Sequence, residues 1–187
     1  MRICVFCGSS RGAAEIYASA AGEMGRTLAA RQIELVYGGG RVGMMGAVAD
    51  AVLGAGGVAI GVIPRALVER EIGHRGLSQL HVVESMHERK TMMADLADGF
   101  IALPGGAGTL EEIFEQWTWA QLGIHHKPCG FLNTLAYFDP LRNMVDQMVA
   151  QGFLRPDHAS MLAFDTEPEA LVEMFRDYSA PRPKWRT

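Results

Sequence analysis

Short apolar runs alternate with longer amphipathic segments along the chain. The runs are β-branched or continuously apolar, which is typical of buried strands, and the segments between them have helical spacing. The predicted strands are Arg2–Cys7, Ile33–Tyr37, Val58–Ile63, Leu80–Val83, Gly99–Leu103, Cys129–Leu132 and Met161–Phe164. The predicted helices are Ala13–Ala30, Gly43–Leu53, Met86–Ala97, Thr109–Leu122, Pro140–Ala150 and Pro168–Tyr178.

Strands that alternate with helices and are apolar on both faces favour a parallel sheet covered on both sides, with right-handed crossovers. The pattern therefore predicts an α/β, Rossmann-like, doubly wound fold, with a mainly parallel sheet of about seven strands and helices on both faces. The length of 187 residues fits one domain. We assign residues 1–179 to a single Rossmann-like domain and expect residues 180–187 to form a mobile tail.

The net charge and the cysteine content indicate which binding partners and which cellular compartment to expect. The net charge is −4, with no basic cluster that could follow a nucleic-acid backbone. Three cysteines in apolar surroundings are typical of a reduced cytoplasmic protein. No apolar stretch is long enough to span a membrane, and the first residues lack the apolar region of a signal peptide. We therefore expect a cytoplasmic protein that binds a small anion, with neither a nucleic acid nor a membrane as partner.

Glycine-rich loops follow three predicted strands: loop 1 (residues 8–10), loop 2 (residues 38–46) and loop 3 (residues 104–109). Ligands of a doubly wound sheet bind outside the carboxyl ends of the strands, so the three loops are expected to meet. Glycine lets the backbone approach a ligand closely, while amides and the helix dipole face an anion. The loops predict a phosphate cradle that includes Ser9, Gly39 and Gly40. The alternative is that these glycines only form tight turns.

Loop 2 also matches the GxGxxG pattern of dinucleotide-binding sites, with Gly38, Gly40 and Gly43. Such a site needs an acidic residue at the end of the next strand, to bind the ribose hydroxyls. The next predicted strand ends in Pro64 and Arg65 instead. The dinucleotide signature is therefore incomplete.

Two cations lie where a helix start would disfavour them. The sequence from Ser85 to Glu88 has the form of a capping box, so a helix is predicted to begin at Met86. Arg89 and Lys90 then occupy its first turns, where cations oppose the helix macrodipole. They are explained either by a bound anion or as a solvated charge pair.

A carboxylate pair follows loop 3 directly, at Glu111 and Glu112. Thr109 and Glu112 have capping-box spacing, and that local role alone would explain the glutamate. The alternative is catalytic. A carboxylate beside a phosphate cradle would face the sugar, where it could stabilise positive charge during cleavage of a glycosidic bond or activate the attacking water.

Other conspicuous residues have ordinary explanations. Cys4 and Cys7 lie three apart on a strand, so their thiols point to opposite faces and form neither a redox pair nor a metal site. His125 and His126 have no partners at metal-ligand spacing, and no metal site is predicted. Trp117 belongs to a helical stripe that is more typical of a core or a subunit interface than of a base pocket.

Three segments together resemble a known family. PGGAGTLEE at 104–112, YGGGRVGMMG at 37–46 and MHERK at 86–90 are similar to the LONELY GUY family of cytokinin riboside 5′-monophosphate phosphoribohydrolases. The similarity extends over nearly the whole chain, from CVFCGSS to WAQLGIHHKP and the last predicted helix. It implies a Rossmann-like homodimer that hydrolyses AMP or N6-modified AMP without a cofactor.

The resemblance also implies the site residues. It assigns Arg89 and Glu112 to catalysis. The binding positions that it carries over are Glu71, Arg89, Lys90, Gly106, Ala107, Gly108, Thr109, Leu110, Glu111 and Glu112. The context of Glu71, Arg70-Glu71-Ile72-Gly73, is less distinctive than the others.

Two other functions compete with this one. Family members have often been labelled lysine decarboxylases, but that chemistry needs pyridoxal phosphate on a Schiff-base lysine. None of the three lysines, Lys90, Lys127 and Lys184, has a recognisable cofactor context. The second alternative is a carrier of nucleotides or molybdenum cofactor, which would need the cradle but not Glu112.

Overall fold

The computed structural model describes residues 1–68 and 73–185. Seven strands form one sheet: β1 (Arg2–Phe6), β2 (Glu34–Tyr37), β3 (Ala59–Pro64), β4 (Gln79–Val83), β5 (Gly99–Ala102), β6 (Cys129–Leu132) and β7 (Leu162–Asp165). The helices are α1 (Glu15–Ala30), α2 (Gly43–Gly54), α3 (Arg65–Val68), α4 (Met86–Leu96), α5 (Ala107–Leu122), α6 (Asp139–Ala150), α7 (Pro156–Ala159) and α8 (Pro168–Arg176). A 3₁₀ turn spans Thr134–Ala136.

Strand order confirms the predicted doubly wound fold. The order is β4-β3-β2-β1-β5-β6-β7, and every pair of neighbouring strands is parallel. The chain builds the sheet outward from β1 to β4, then returns to the other side of β1 and continues through β7. The direction of winding therefore reverses between β1 and β5, which is the position where such sheets bind ligands.

Two hydrophobic layers cover the sheet because its strands are apolar on both faces. Along β1, Ile3 and Val5 pack against α1, α2 and α8, whereas Cys4 and Phe6 pack against α4 and α5. Cys7, just past the strand, lies with the first layer, so Cys4 and Cys7 face opposite sides as predicted. All three cysteines are free and buried.

Several details differ from the predictions. Helix α5 begins at Ala107, two residues before Thr109, and α8 ends at Arg176. The short helices α3 and α7 were not predicted, since four residues are too few to show helical periodicity. Among the described residues, no helix is both long and apolar enough to cross a membrane.

The tail makes defined contacts as far as it is described. The amide of Lys184 donates to the carbonyl of Gln121 at the end of α5 (2.7 Å), and the ring of His158 lies 3.2 Å from the carbonyl of Arg182. The mobility of this tail stays a prediction.

The close contact of α1 with α2 depends on a glycine. A Cβ at Gly25 of α1 would lie 2.5 Å from the carbonyl oxygen of Val48 and 2.9 Å from the Cβ of Ala51, both on α2. Backbone atoms cannot move aside as a flexible side chain can. Gly25 therefore sets the spacing of the two helices.

We expect Gly25→Ala to lower the free energy of unfolding by about 1 to 3 kcal/mol, because overpacking exceeds the gain of roughly 1 kcal/mol in helix propensity. Gly54→Ala, in α2, is the matched control: a Cβ there meets no described heavy atom within 4 Å. The control should be neutral or slightly stabilising. Urea denaturation followed by circular dichroism measures both, and equal stability of Gly25→Ala and the unmodified chain would contradict the packing argument.

Candidate active site

Backbone contacts bring the three glycine loops together at the carboxyl edge of the sheet. The amide of Gly8 donates to the carbonyl of Pro104, which joins loop 1 to loop 3 (3.1 Å). The amide of Met44 donates to the carbonyls of Gly8 and Ser10, which joins loop 2 to loop 1 (3.2 and 3.3 Å). Gly43 has φ +63°, and a Cβ there would lie 2.2 Å from the carbonyl oxygen of Ser9. Only glycine fits at this crossing.

The start of α5 in loop 3 is open to solvent. Gly106 is the N-cap residue, and no side chain among the described residues caps the helix. Gly106, Ala107 and Gly108 are exposed, and a Cβ at either glycine would meet no described heavy atom within 4 Å. The first amides of a helix have no intrahelical partners and carry the positive end of its dipole. This helix start is therefore suited to bind an anion such as phosphate.

Loop 2 differs from loop 3 because much of its backbone is already engaged. The amide of Met44 at the start of α2 is used by loop 1. The carbonyl of Gly39 accepts from the amide of His74 (2.9 Å), and Gly40 forms a β-bridge with Gly73. Loop 2 thus anchors neighbouring segments, and phosphate binding by Gly39 and Gly40 stays a prediction.

A pocket of about 370 Å³ lies between loops 1 and 3. Its lining is mostly glycine backbone and aromatic rings: Gly8, Ser10, Gly12, Ala13, Tyr17, Met44, Pro104, Gly105, Gly106 and Tyr137. The hydroxyl of Tyr137 donates to the carbonyl of Gly105 (2.5 Å), directly before the open helix start. Sequence reasoning missed Tyr137, although it lies on the loop after β6, at the same edge of the sheet. Leu135 and Ala136 before it have φ +53° and +57°, a strained conformation for residues other than glycine.

The guanidinium of Arg89 is fixed by the ends of two strands. Its Nε donates to the carbonyl of Val62 in β3 (3.2 Å), and its Nη2 donates to the carbonyl of Gly38 after β2 (3.3 Å). A Cβ at Gly38 would lie 2.0 Å from Nη2. The first glycine of the GxGxxG match therefore leaves room for an arginine side chain, a role that no sequence pattern indicated.

Glu112 lies opposite this arginine, with its Oε1 3.6 Å from Arg89 Nη1. Both side chains are largely buried, at 13% and 11% exposure. Because α5 begins at Ala107, Thr109 is inside the helix and Glu112 lies beyond its first turn. The capping-box explanation of Glu112 is therefore wrong.

Burial raises the pKa of Glu112, and the neighbouring Glu111 and Glu115 raise it further. Arg89 and Lys90 oppose the shift, but the pKa remains above its ordinary value. A carboxylate with a raised pKa beside an open anion site is typical of functional sites. Gly108 and Glu112 are four residues apart, so they share one face of α5 about 6 Å apart along its axis.

Lys90 lies on the neighbouring part of α4 and contacts carboxylates. Its Nζ is 2.5 Å from Glu111 Oε1 and 3.1 Å from Glu115 Oε1, and the lysine side chain is 11% exposed. These contacts raise the pKa of Lys90. The Ser85 hydroxyl caps α4 as predicted, accepting from the Glu88 amide (3.1 Å), while the Glu88 carboxylate accepts from the amide of Glu84 rather than of Ser85.

The remaining predicted residues fall in several places. Ser9 is exposed on loop 1, and Leu110 is half-buried behind the start of α5. Glu71 lies outside the described residues. Trp117 packs in the core, with its indole N–H donating to the carbonyl of His158 (3.0 Å). Among residues 1–68 and 73–185, no group of three or more metal-binding side chains could hold an ion.

Sequence comparison with known proteins identifies the family of this chain. A family model described as "possible lysine decarboxylase" matches residues 45–175. A probable cytokinin riboside 5′-monophosphate phosphoribohydrolase of Oryza sativa subsp. japonica is 49% identical over 183 residues, which cover 98% of this chain and 75% of the relative. A cytokinin riboside 5′-monophosphate phosphoribohydrolase of Arabidopsis thaliana is 48% identical over 177 residues, covering 95% of this chain and 83% of the relative.

Similarity to solved structures supports the fold alone. The molybdenum cofactor carrier protein of Chlamydomonas reinhardtii matches with a TM-score of 0.71 at 20% identity, covering 95% of this chain and 98% of the other. The phosphoribohydrolase relatives are more than twice as similar in sequence, and their matches cover 98% and 95% of this chain. By the match to the family model and by these relatives, the chain belongs to the LONELY GUY family.

Proposed function

We propose that this protein hydrolyses the N-glycosidic bond of a nucleoside 5′-monophosphate, AMP or an N6-modified AMP, to the free base and ribose 5-phosphate. The observation that carries the proposal is the buried Arg89–Glu112 pair beside the open, uncapped start of α5. The helix start binds the phosphate, and the pair lies where the attached sugar reaches. The plant relatives are named as phosphoribohydrolases of cytokinin riboside 5′-monophosphates, which is the same reaction on an N6-modified AMP.

The phosphate positions the sugar for the reaction. The amides of Gly106, Gly108 and Thr109 bind the 5′-phosphate, with Ser9, Gly39 and Gly40 beside them. Binding energy from this non-reacting group then orients the ribose. About one and a half helical turns, from Ala107 to Glu112, thus place the phosphate site at the start of α5 and the Glu112 carboxylate beyond it.

Bond cleavage develops positive charge on the ribose ring. As the bond between C1′ and the base breaks, its electron pair leaves with the base, and C1′ becomes oxocarbenium-like. The Glu112 carboxylate stabilises this charge or orients the water whose oxygen adds to C1′. Arg89 holds the carboxylate and the substrate in place and stabilises charge in the transition state. The attacking water loses one proton and the departing base gains one, so that the products are ribose 5-phosphate and the neutral base.

The three lysines do not fit a decarboxylase. A Schiff-base lysine must present an unprotonated amine to pyridoxal phosphate. Lys90 is held by two carboxylates that raise its pKa, which opposes nucleophilicity. Lys127 donates to the carbonyl of Ala94 (2.7 Å), and Lys184 lies over the ring of Trp185 in the tail. The family description of a lysine decarboxylase is therefore not the activity that we propose.

A carrier of nucleotide or cofactor would use the cradle but not Glu112. Incubating the purified protein with AMP and measuring free adenine separates the two functions: release of adenine is expected, whereas binding of AMP without release would favour a carrier. A panel of nucleoside monophosphates compared by kcat/KM identifies the preferred base. Hormone release and purine salvage are both compatible with the proposed reaction.

We also propose that the enzyme is a cytoplasmic homodimer. The dimer is supported by family membership and by the apolar side chains exposed at the end of α5, Leu122 and Ile124. The stripe of α5 that contains Ile113 and Trp117 is buried in the core, whereas Phe114 and Trp119 of the same helix are only partly buried. Sedimentation of a monomer at micromolar concentration would contradict the dimer. The free cysteines support a reducing compartment.

We expect Glu112→Gln and Arg89→Ala each to lower kcat at least about a hundredfold, because positioned charged groups contribute on that scale. Steady-state kinetics with AMP measures the loss. Circular dichroism and thermal unfolding serve as controls that the fold is retained. Near-native turnover by Glu112→Gln would remove the carboxylate from the mechanism.

The pH dependence follows from the ionised form of Glu112. Its pKa is raised above the ordinary 4.5, so the protein must be at a higher pH than an exposed glutamate requires before the carboxylate is charged. We expect kcat/KM for AMP to fall as pH drops through this raised pKa, with the acidic limb above pH 4.5. An acidic limb at or below the ordinary value, with the fold intact, would contradict the assignment.

We expect the 5′-phosphate to be indispensable, with adenosine turned over at least about a thousandfold less efficiently than AMP. Two or more charge-assisted hydrogen bonds, each of roughly 1.5 to 3 kcal/mol, are lost with the phosphate. Because this binding energy orients the sugar, kcat should fall as well as kcat/KM. Comparable kcat/KM values for AMP and adenosine would instead indicate a plain nucleosidase.

A further inference from the structure

The peptide that joins Gly105 to Gly106 lies directly before α5 and has a glycine on each side. The peptides before and after it are held by backbone contacts. The carbonyl of Pro104 accepts from the amide of Gly8 (3.1 Å), and the carbonyl of Gly106 accepts the first hydrogen bond of the helix (3.3 Å). The carbonyl of Gly105 accepts instead from a side chain, the hydroxyl of Tyr137 (2.5 Å). A residue distant in the chain therefore holds this peptide.

The loop that carries Tyr137 is strained at two residues. Leu135 has φ +53° and ψ +36°, and Ala136 has φ +57°, in the left-handed region that residues with a Cβ rarely adopt. Both residues are exposed, so burial of their side chains does not explain the strain. The strained backbone leads directly to two residues with defined contacts: Phe138 is buried in the core, and the hydroxyl of Tyr137 reaches Gly105.

The contact with Tyr137 sets the direction of the amide on the same peptide. In a planar trans peptide, the C=O and the N–H point to opposite sides. While Tyr137 holds the carbonyl of Gly105, the N–H of Gly106 points away from Tyr137 and is free for a phosphate at the helix start. If this peptide turned over, the carbonyl oxygen would take the place of the N–H and would repel the phosphate.

Glycine at both positions makes such a reversal sterically accessible. Gly106 has φ −90° and ψ −159°. Reversal of the peptide before it would change φ by about 180°, to about +90°, which at this ψ is a conformation that essentially only glycine adopts. A Cβ at Gly105 would lie 2.1 Å from Thr109 Oγ1 and 2.8 Å from the amide nitrogen of Gly8, so no side chain can restrict the backbone there.

We propose that Tyr137 is a positioning residue, whose hydroxyl holds the Gly105–Gly106 peptide with the Gly106 N–H directed at the substrate phosphate. The proposal rests on the proposed function, because the start of α5 is the proposed phosphate site. Tyr137 acts through Gly105 and does not contact the phosphate. A bound phosphate selects the competent direction of the peptide, so loss of the hydroxyl lowers the apparent affinity by the fraction of molecules that stay competent. The bound complex, and with it kcat, is unchanged.

Tyr137→Phe removes the hydroxyl and keeps the ring, which packs edge-on against Tyr17 and Phe138. We expect the dissociation constant of ribose 5-phosphate, measured by isothermal titration calorimetry, to rise about three- to tenfold. KM for AMP should rise to a similar extent, while kcat changes less than about twofold. Tyr17→Phe, which removes a hydroxyl from the neighbouring ring, is the matched control and should change the dissociation constant less than about twofold.

The decisive experiment prevents the reversal by a second route. Gly106→Ala makes the reversed φ unfavourable, and in the observed conformation the added Cβ meets no described heavy atom within 4 Å. In this background Tyr137→Phe should change the dissociation constant less than about twofold, whatever effect Gly106→Ala has alone. A direct bond from Tyr137 to the phosphate, or general loosening of the loop, predicts the same loss in both backgrounds. That result would overturn the inference.

A measurement without ligand separates this inference from the proposed function. In the ligand-free protein, Tyr137→Phe should shift or broaden the ¹⁵N–¹H signal of Gly106, because the amide then samples both directions. The same substitution in the Gly106→Ala background should change the signal of residue 106 much less. If the unmodified protein released no adenine from AMP, or bound no ribose 5-phosphate, the proposed function would fail while these spectra still tested the role of Tyr137. Equal spectral changes in the two backgrounds, or none in either, would contradict that role.

Discussion

The reversal of strand order between β1 and β5 constrains every other feature of the site. Two parallel strands that lead to opposite halves of a sheet send their following loops apart, which leaves an opening above their carboxyl ends. Here loop 1 follows β1 and loop 3 follows β5, and a backbone hydrogen bond from Gly8 to Pro104 joins them. The helix that starts at this opening, α5, carries both the exposed amides and Glu112. In the proposed mechanism, one rigid element therefore binds both the phosphate and the reacting sugar.

The charges at this opening are arranged by the backbone as much as by each other. Arg89 is held by the carbonyls at the ends of β2 and β3, and its guanidinium occupies the space left by Gly38. Burying an arginine and a glutamate is costly unless each is paired and hydrogen-bonded. The strand carbonyls supply that compensation for Arg89 and leave its Nη1 facing Glu112. Burial raises the pKa of Glu112, and the pairing with Arg89 offsets only part of this rise.

The three glycine loops have different physical roles although their sequences look alike. Gly43 permits loops 1 and 2 to cross at backbone distance, and Gly38 makes room for Arg89. Gly106 and Gly108 border open space, where a missing side chain leaves access for a ligand. Whether the glycines form tight turns or leave room for an anion therefore has a different answer for each loop. Loop 2 is mainly structural in its contacts, and loop 3 is the loop that remains open.

The sequence by itself determined the fold and the identity of the central residues. Buried strands need continuous apolar runs and their helices need a 3.6-residue period, so all seven strands and the six long helices were recognisable, as were Arg89 and Glu112 from the motifs that contain them. Only the tertiary structure decided which of these residues face one another. Helix α5 begins at Ala107, two residues before the predicted start, which places Glu112 beyond the capping position. The contacts of Lys90 with Glu111 and Glu115, of Tyr137 with Gly105 and of Gly38 with Arg89 join residues far apart in the chain. No local pattern encodes such contacts, because periodicity reports the face on which a residue lies and not its partner on the next element.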